Sequence, residues 1–318
     1  MTLRVEGGLT SSTTLCEPSF AQLNVFHAVM VTGSVSRAAK LLGMTQSGAS
    51  RMLTQLEQAT GLHLFERVHQ RLIPTPDAKQ LQGSVERLRG SYGGVQRLIS
   101  SLVNPDRGKV TIAAIPTQAS SFMPLAIKRL REQYPGIVVT LEILANMPVV
   151  ERVQNGEADF GLVHDLTPSP NTQNEDIGEQ HVVCVAPANH RYADLPFITA
   201  QDLASETFLS YGPHTNFGNM IENAFFEVGV RMPVAVEVTS SASLLSLIQA
   251  GVGVGLVEPA ALLPFHLEQF IIKPFKPTLT LRSRILRSRM RPLTRHAERL
   301  LNEYRQVVQS QQLYSFAT

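Results

Sequence analysis

From Phe20 onward, apolar residues recur at helical spacing. Phe20, Leu23, Phe26 and Met30 fall three or four apart, and Gly33 closes the run. Ser34 is placed to cap a second short helix reaching about Leu42, with Ala38, Leu41 and Leu42 inward and Arg37 and Lys40 outward. Gly43 makes a turn. Thr45 then caps a third helix whose inner face is Ala49, Met52, Leu53 and Leu56, and Gly61 stops it where a left-handed residue is wanted. Three short helices with a glycine turn between the second and third describe a helix-turn-helix unit, its core spanning residues 35–54. Beyond it, Leu64, Phe65, Leu72 and Ile73 flank a polar tip from Arg67 to Arg71, a pattern that predicts a two-stranded wing.

Thr75-Pro76-Asp77 joins a capping hydroxyl, a proline suited to the first helical position and an acid near the positive end of the helix dipole. The helix that follows carries Leu81, Val85, Leu88, Tyr92, Val95, Ile99 and Leu102 at alternating spacings of four and three, the heptad of a coiled-coil seam. Gly83, Gly90, Gly93 and Gly94 each cost up to about 1 kcal/mol relative to alanine, so a partner helix has to supply what propensity does not. From Gly108 the pattern changes to short apolar runs alternating with amphipathic helices, the signature of an α/β domain. Strands are predicted at 109–115, 137–144 and 160–163, with helices at 122–134 and 149–155 between them. A polar, proline-rich stretch from His164 to Glu179 breaks the rhythm. A second set follows, with strands at 182–186, 207–210, 235–238 and 255–257 and helices at 217–228 and 241–250. Arg282 to Met290 and a last helix, Leu293 to Val308, return to the first lobe.

These elements give an α/β chain with a disordered extension (1–19), a winged helix-turn-helix DNA-binding domain (20–77, mainly α), a long coiled-coil linker helix (75–103) and a two-lobed domain (107–318). Lobe I is assigned residues 107–165 and 270–308, and lobe II residues 166–269.

Composition narrows the class. At 318 residues, 43% hydrophobic and 17% charged, the chain is an ordinary globular protein of two or three domains. Its most apolar stretch, Leu244 to Val257, is interrupted by Ser246 and Gln249 and is short of the roughly 20 residues that span a bilayer. With no secretory signal pattern at the start, a cytoplasmic protein with no membrane partner is expected. Cys16 and Cys184 are too few for a cysteine-rich zinc site or a disulfide framework, and Cys184, inside the run Val182 to Ala186, reads as a core thiol rather than a redox sensor. The nine histidines show no metal-ligand spacing, so neither a metal nor a cofactor is expected. A net charge of +2 does not argue for nucleic acid, but its distribution does: between Phe20 and Pro76 the five bases Arg37, Lys40, Arg51, Arg67 and Arg71 meet only Glu57 and Glu66.

The run Gly33-Ser34-Val35-Ser36-Arg37-Ala38-Ala39, followed by Thr45-Gln46-Ser47, Ser50-Arg51, Leu56-Glu57, Gly61, Leu64-Phe65-Glu66-Arg67, Arg71 and Pro74-Thr75, resembles the LysR-type regulators. Val236 to Thr239 and Ala250 to Val257 look like that family's sensor domain, particularly the branch holding the diaminopimelate- and opine-responsive regulators. Ser47 stands where the family usually has proline, and Gly48 where alanine is commoner. The resemblance implies a periplasmic-binding-protein-like sensor, pairing into dimers and tetramers, binding to double-stranded promoter DNA with bending of that DNA, and a small-molecule co-inducer. RNA polymerase is a candidate further partner.

On the third helix Gln46, Ser47, Ser50, Arg51 and Thr54 lie opposite the apolar positions and form a face that can enter a major groove. Arg51 suits guanine and Gln46 adenine, each good bidentate pair discriminating by roughly 1 to 3 kcal/mol, while Ser50 and Thr54 suit bases or phosphates. Arg67 and Arg71 on the wing suit a minor groove or backbone, and Arg37, beside Ser36 at the amide end of the second helix, suits a phosphate. The competing reading of these residues is a plain solvated surface. In the sensor, Thr117, Gln118 and Ser120 open a helix after the first strand, where amides and hydroxyls can hold a carboxylate, and Thr239 does the same in the second lobe. Ser210 and Tyr211 end another strand, and His164 with Asp165 sits at a lobe crossing. For each hydroxyl a helix cap is the competing role. The family resemblance raises Thr117, Gln118, Ser120 and Thr239 to ligand candidates, with an amino acid or its derivative as the preferred effector.

Two other classes fit less well. Gly251-Val252-Gly253-Val254-Gly255 follows a helix and precedes a strand, the reverse of a dinucleotide fingerprint, and no nucleophile elbow or Walker loop occurs, so an enzyme fused to a DNA reader is set aside. A transport-associated solute-binding protein would share the two lobes but not the helix-turn-helix head. The arginines at 282, 284, 287, 289 and 291 read as a solvated edge strand.

Overall fold

The computed structural model describes residues 17–68, 71–104, 106–164, 171–213 and 215–311. The expected amino-terminal extension lies almost wholly outside them, as do the wing tip at His69-Gln70 and Asp165. The chain divides into two compact units, Met1–Gly90 and Ser91–Thr318.

In the first unit α1 (Phe20–Thr32), α2 (Val35–Leu41) and α3 (Gln46–Thr60) pack about Phe26, Val29, Ala38, Ala39, Ala49 and Leu56. Each helix start is written in the sequence. The Ser19 hydroxyl accepts from Gln22 N at 3.3 Å while the Gln22 side chain accepts from Ser19 N at 2.8 Å, a reciprocal cap. Ser34 and Thr45 cap the next two. Gly61 ends α3 at φ 69°, a conformation in which a side chain would be strained. Leu41, expected inward, is 65% exposed. It lies roughly 100° around α2 from the Ala38, Ala39 and Leu42 face, and a helix of two turns has only that one face to bury. β1 (Phe65–Val68) pairs antiparallel with β2 (Arg71–Pro74), from Phe65 opposite Pro74 to Val68 opposite Arg71. Thr75 locks the wing to the next helix, its hydroxyl donating to His63 O at 2.8 Å and accepting from Ala78 N at 3.2 Å.

That next helix, α4 (Pro76–Val103), crosses the division between the units. Val85 is buried in the head core, whereas Leu88, Tyr92, Val95, Ile99 and Leu102 are 45 to 70% exposed. The heptad seam is therefore an apolar face uncovered within one chain.

The second unit holds two sheets. The first, in the order β4-β3-β5-β13-β6, comprises β3 (Arg107–Ala114), β4 (Gly136–Ile143), β5 (Phe160–His164), β6 (Thr172–His181) and β13 (Thr280–Ser288). α6 (Met123–Gln133) and α11 (Arg295–Gln311) cover one face with Met123, Leu130, Leu300 and Tyr304. α7 (Asn146–Asn155) covers the other through Val149, Val150 and Val153. A short helix, α5 (Pro116–Ser120), follows β3. The second sheet, β10-β9-β11-β7-β12-β8, is built from β7 (Val183–Pro187), β8 (Ile198–Thr199), β9 (Phe208–Tyr211), β10 (Val234–Val238), β11 (Val254–Val257) and β12 (Phe270–Lys276). It carries α8 (Ala200–Leu203), α9 (Asn216–Glu227) and α10 (Ser241–Gln249). Cys184 is buried in its core, and burial pushes its thiol pKa up.

Two expectations are corrected. β6 belongs to lobe I, paired with β13 along its length, and β12 belongs to lobe II, so the crossings fall at Val182 and at residues 277–279 rather than near 166 and 270. β6 escaped notice because it is an outer strand with no apolar run. Its acids instead meet β13: Arg282 reaches Glu179 at 2.7 Å, Arg284 reaches Asp176 at 2.6 Å and Arg287 reaches Glu175 at 3.4 Å. β13 is thus an inner strand, and its arginines are cross-strand partners rather than guards of an open edge.

Candidate DNA-reading face and effector cleft

In the head, the polar side of α3 is open. Gln46, Ser47, Ser50, Arg51 and Thr54 are all exposed while Ala49, Leu53 and Leu56 are buried beneath them. The helix start is held by the Thr45 hydroxyl, which accepts from Gly48 N at 3.2 Å; a methyl group at Gly48 would stand 3.1 Å from that oxygen. Glycine here leaves room for the cap. Ser36 and Arg37 are exposed on the first turn of α2, and Arg67 is exposed on β1. Arg71 begins β2 opposite Val68. The nearby acid Glu57 is turned away, accepting from Leu64 N at 2.8 Å. The arrangement offers exposed donors and positive charge, with no carboxylate on the Gln46, Ser47, Ser50, Arg51 and Thr54 face among the described residues, which suits phosphates and base edges.

In the second unit, the sequence candidates separate into two groups. The first gathers on Glu258, the residue that follows β11 and is only 2% exposed. Thr117 of lobe I donates its hydroxyl to the Glu258 carboxyl group. The Ser241 hydroxyl lies 3.0 Å from both carboxyl oxygens, and Tyr211 OH donates to Ser241 Oγ at 2.8 Å. Burial raises the Glu258 pKa above its ordinary value, opposed by the hydrogen bonds from Thr117 and Ser241. No cation pairs with it among the described residues. The expectation that the Thr117 turn holds a ligand carboxylate is thereby corrected, because the protein already places its own there.

The second group gathers on Ser283 of β13. Gln118, fully buried, donates from Nε2 to Ser283 Oγ at 2.8 Å and accepts from Tyr304 OH. Gln180 Nε2 donates to the same oxygen at 3.2 Å. The Ser283 hydroxyl also lies 3.3 Å from His164 Nδ1, and the His164 ring is hydrogen-bonded to the backbone of Arg282. The other ring nitrogen, Nε2, has no hydrogen-bond partner among the described residues. Burial pushes the His164 pKa down to about 4, so the ring is neutral near pH 7. Asn146 fixes the backbone of His164, accepting from its N at 3.3 Å and donating to its O at 3.0 Å.

Three candidates stand elsewhere. The Ser120 hydroxyl donates back to Pro116 O at 2.9 Å in its own helix. Ser210 is buried with its hydroxyl 4.0 Å from the Met232 sulfur, inside lobe II. Thr239 is exposed; Ser240 caps α10 and Ser241 is the hydroxyl that turns inward. Sequence reasoning missed Glu258, Ser283 and Tyr304 altogether. The available signal for Glu258 was an acid directly after four buried apolar residues and before Pro259.

A winged helix-turn-helix head, a long helix and a two-lobed α/β domain with a polar interlobe cluster define a DNA-binding transcription regulator with an effector domain. Residues 20–79 match the family described as "Bacterial regulatory helix-turn-helix protein, lysR family" and residues 104–309 match "LysR substrate binding domain". The chain belongs to the LysR family of transcriptional regulators. It is 30% identical over 274 residues to the transcriptional activator protein LysR of Escherichia coli (strain K12), covering 85% of this chain and 87% of that one. It is 32% identical over 254 residues to the octopine catabolism/uptake operon regulatory protein OccR of Rhizobium meliloti, covering 80% and 84%. The crystal structure of CbnR, a LysR family transcriptional regulator, superposes with a TM-score of 0.69 at 17% identity over 91% of this chain and 99% of that chain, a likeness of fold. No helix among the described residues is long and apolar enough to cross a membrane.

Proposed function

We propose that the protein binds an inverted-repeat promoter site as a dimer, with Gln46, Ser47, Ser50, Arg51 and Thr54 in the major groove and Arg67 and Arg71 of the wing alongside. Ser36 and Arg37 hold a phosphate. The dimer forms along the exposed α4 seam, pairs further into a tetramer and acts on RNA polymerase in the cytoplasm. It is a binding protein rather than an enzyme and uses no metal or cofactor. Its co-inducer is a small molecule carrying a cationic group, an amino acid or amino-acid derivative, seated between the lobes against Glu258, Thr117, Ser241 and Tyr211, with His164 Nε2 and Gln118 at the far side.

The observation that carries the effector reading is the buried Glu258 carboxyl group, which has hydroxyl donors but no cation among the described residues. A ligand ammonium or guanidinium supplies the missing charge, and the unpartnered His164 Nε2 offers a further polar contact to the ligand. The relative OccR is named for an octopine operon, so octopine, basic amino acids and their neutral and acidic counterparts form the probe panel.

Thermal shift of the full-length protein reads the outcome: cationic amino acids raise the melting temperature by mass action and purely acidic ligands do not. Stabilisation by dicarboxylates alone would reverse the charge assignment. For the head, Arg51→Ala weakens operator binding roughly 5- to 150-fold in gel shift while nonspecific binding changes far less. Equal loss on both kinds of DNA would remove Arg51 from base reading.

A further inference from the structure

A cavity of about 520 Å³ lies against both chain crossings of the second unit, touching His181, Val182 and Val183 of one and Lys276 and Thr278 of the other. Its walls are largely carbon. Lobe I contributes Phe122, Ile177 and Val308, and lobe II contributes Phe197, Leu263 and Phe275. A space of this size is typical of sites for small ligands. None of Thr117, Gln118, His164, Ser210, Tyr211, Thr239 or Glu258 lines it; Gln180 and Ser283 do, so the cavity adjoins the Ser283 cluster and is distinct from the Glu258 group.

The charge at the cavity is lopsided. Glu179 on the wall is neutralised by Arg282 at 2.7 Å. Lys276 is exposed, its ammonium group 4.6 Å from the Phe197 ring centroid, and no carboxylate among the described residues pairs with it. An apolar chamber with one uncompensated cation at its wall favours a ligand with a carbon body and a single negative charge. The polar floor links it to the cleft. Gln180 accepts from Ala260 N of lobe II at 2.8 Å and donates to Ser283, the hydroxyl that Gln118 and His164 share.

We propose that this cavity is a second small-molecule site, taking a compact apolar carboxylate whose charged end meets Lys276 and whose carbon body lies between the lobe I and lobe II side chains. Because both lobes and both crossings form its walls, a ligand there holds one angle between the lobes. It thereby shifts the equilibrium that the cleft effector also acts on, without competing for the same atoms.

The test uses full-length protein and 8-anilinonaphthalene-1-sulfonate, an apolar monoanion whose fluorescence reports burial, with decanoate and decylamine as competitors. One saturable site per chain is expected, displaced by decanoate and not by decylamine. Lys276→Gln weakens the probe about fivefold, the upper range for an exposed charge. Leu263→Trp, which fills the chamber from the lobe II wall, removes the decanoate-displaceable signal. Glu258→Gln leaves that signal in place, which separates this site from the cleft whether or not the variant still binds a cationic effector. Equal probe affinity in wild type, Lys276→Gln and Leu263→Trp, or displacement by decylamine as readily as by decanoate, overturns the proposal. If Leu263→Trp fails to fold, the exposed Lys276→Gln decides it alone.

Discussion

Replacing Glu258 by glutamine separates two roles that a buried carboxyl group can have. The Glu258→Gln side chain keeps the shape and an acceptor for the Thr117 hydroxyl, and its amide can donate to Ser241, but it never carries charge. Burial raises the Glu258 pKa above 4.5, so the fold favours the neutral acid. The stabilising contribution is therefore complete below the ordinary carboxyl range and is lost as pH rises through the folded-state value, each unit of elevation being worth about 1.4 kcal/mol. Glutamine mimics the protonated acid at every pH. Melting curves should coincide near pH 4, and at pH 8 the variant should melt higher, by roughly 3 °C for each kcal/mol in a domain of this size. Effector binding moves the other way. A cationic effector loses a charge-assisted hydrogen bond worth about 1.5 to 3 kcal/mol, so its affinity falls roughly 10- to 150-fold, and in wild type that affinity rises with pH as Glu258 ionises. Calorimetric titration and melting from pH 4 to 8 read both. A variant that melts lower than wild type at pH 8 and binds basic amino acids with unchanged affinity would falsify the reading of Glu258 as the effector's counter-charge.

Asp159 accepts from Arg97 Nε at 3.1 Å and from Thr111 N at 2.8 Å with its side chain 6% exposed. Asp159→Ala strands a largely buried guanidinium and a backbone donor, and should cost about 3 to 5 kcal/mol of the second unit's stability in urea unfolding. Thr45→Ala removes the cap on Gly48 N and should cost the head about 1 kcal/mol, read as a lower urea midpoint with unchanged slope. Ile99→Glu puts a charge in the exposed seam of α4, and sedimentation at micromolar concentration should show the dimer dissociating; an unchanged dimer would move the self-association surface elsewhere.

The elements legible from sequence were those whose signal is local. Ser34, Thr45 and Thr75 each announced a helix start through a hydroxyl, and the apolar runs at Val183–Pro187 and Val254–Val257 announced buried strands. β6 was illegible for a nonlocal reason: nearly everything that makes Thr172–His181 a strand, from its ladder to its ion pairs, sits on β13, about a hundred residues away. The same distinction runs through the cleft. A hydroxyl after a strand reads equally well as a ligand donor, a helix cap or a partner for another side chain. In the run Thr239-Ser240-Ser241, one residue of register decides which is exposed, which caps and which meets Glu258. The Thr117 hydroxyl meets Glu258, 141 residues further along the chain, a partner that local pattern could not supply. Local pattern locates a binding surface, and long-range pairing sets its electrostatic preference. The cationic effector proposed for the cleft accordingly rests on Glu258, which sequence pattern passed over, rather than on the helix-start hydroxyls.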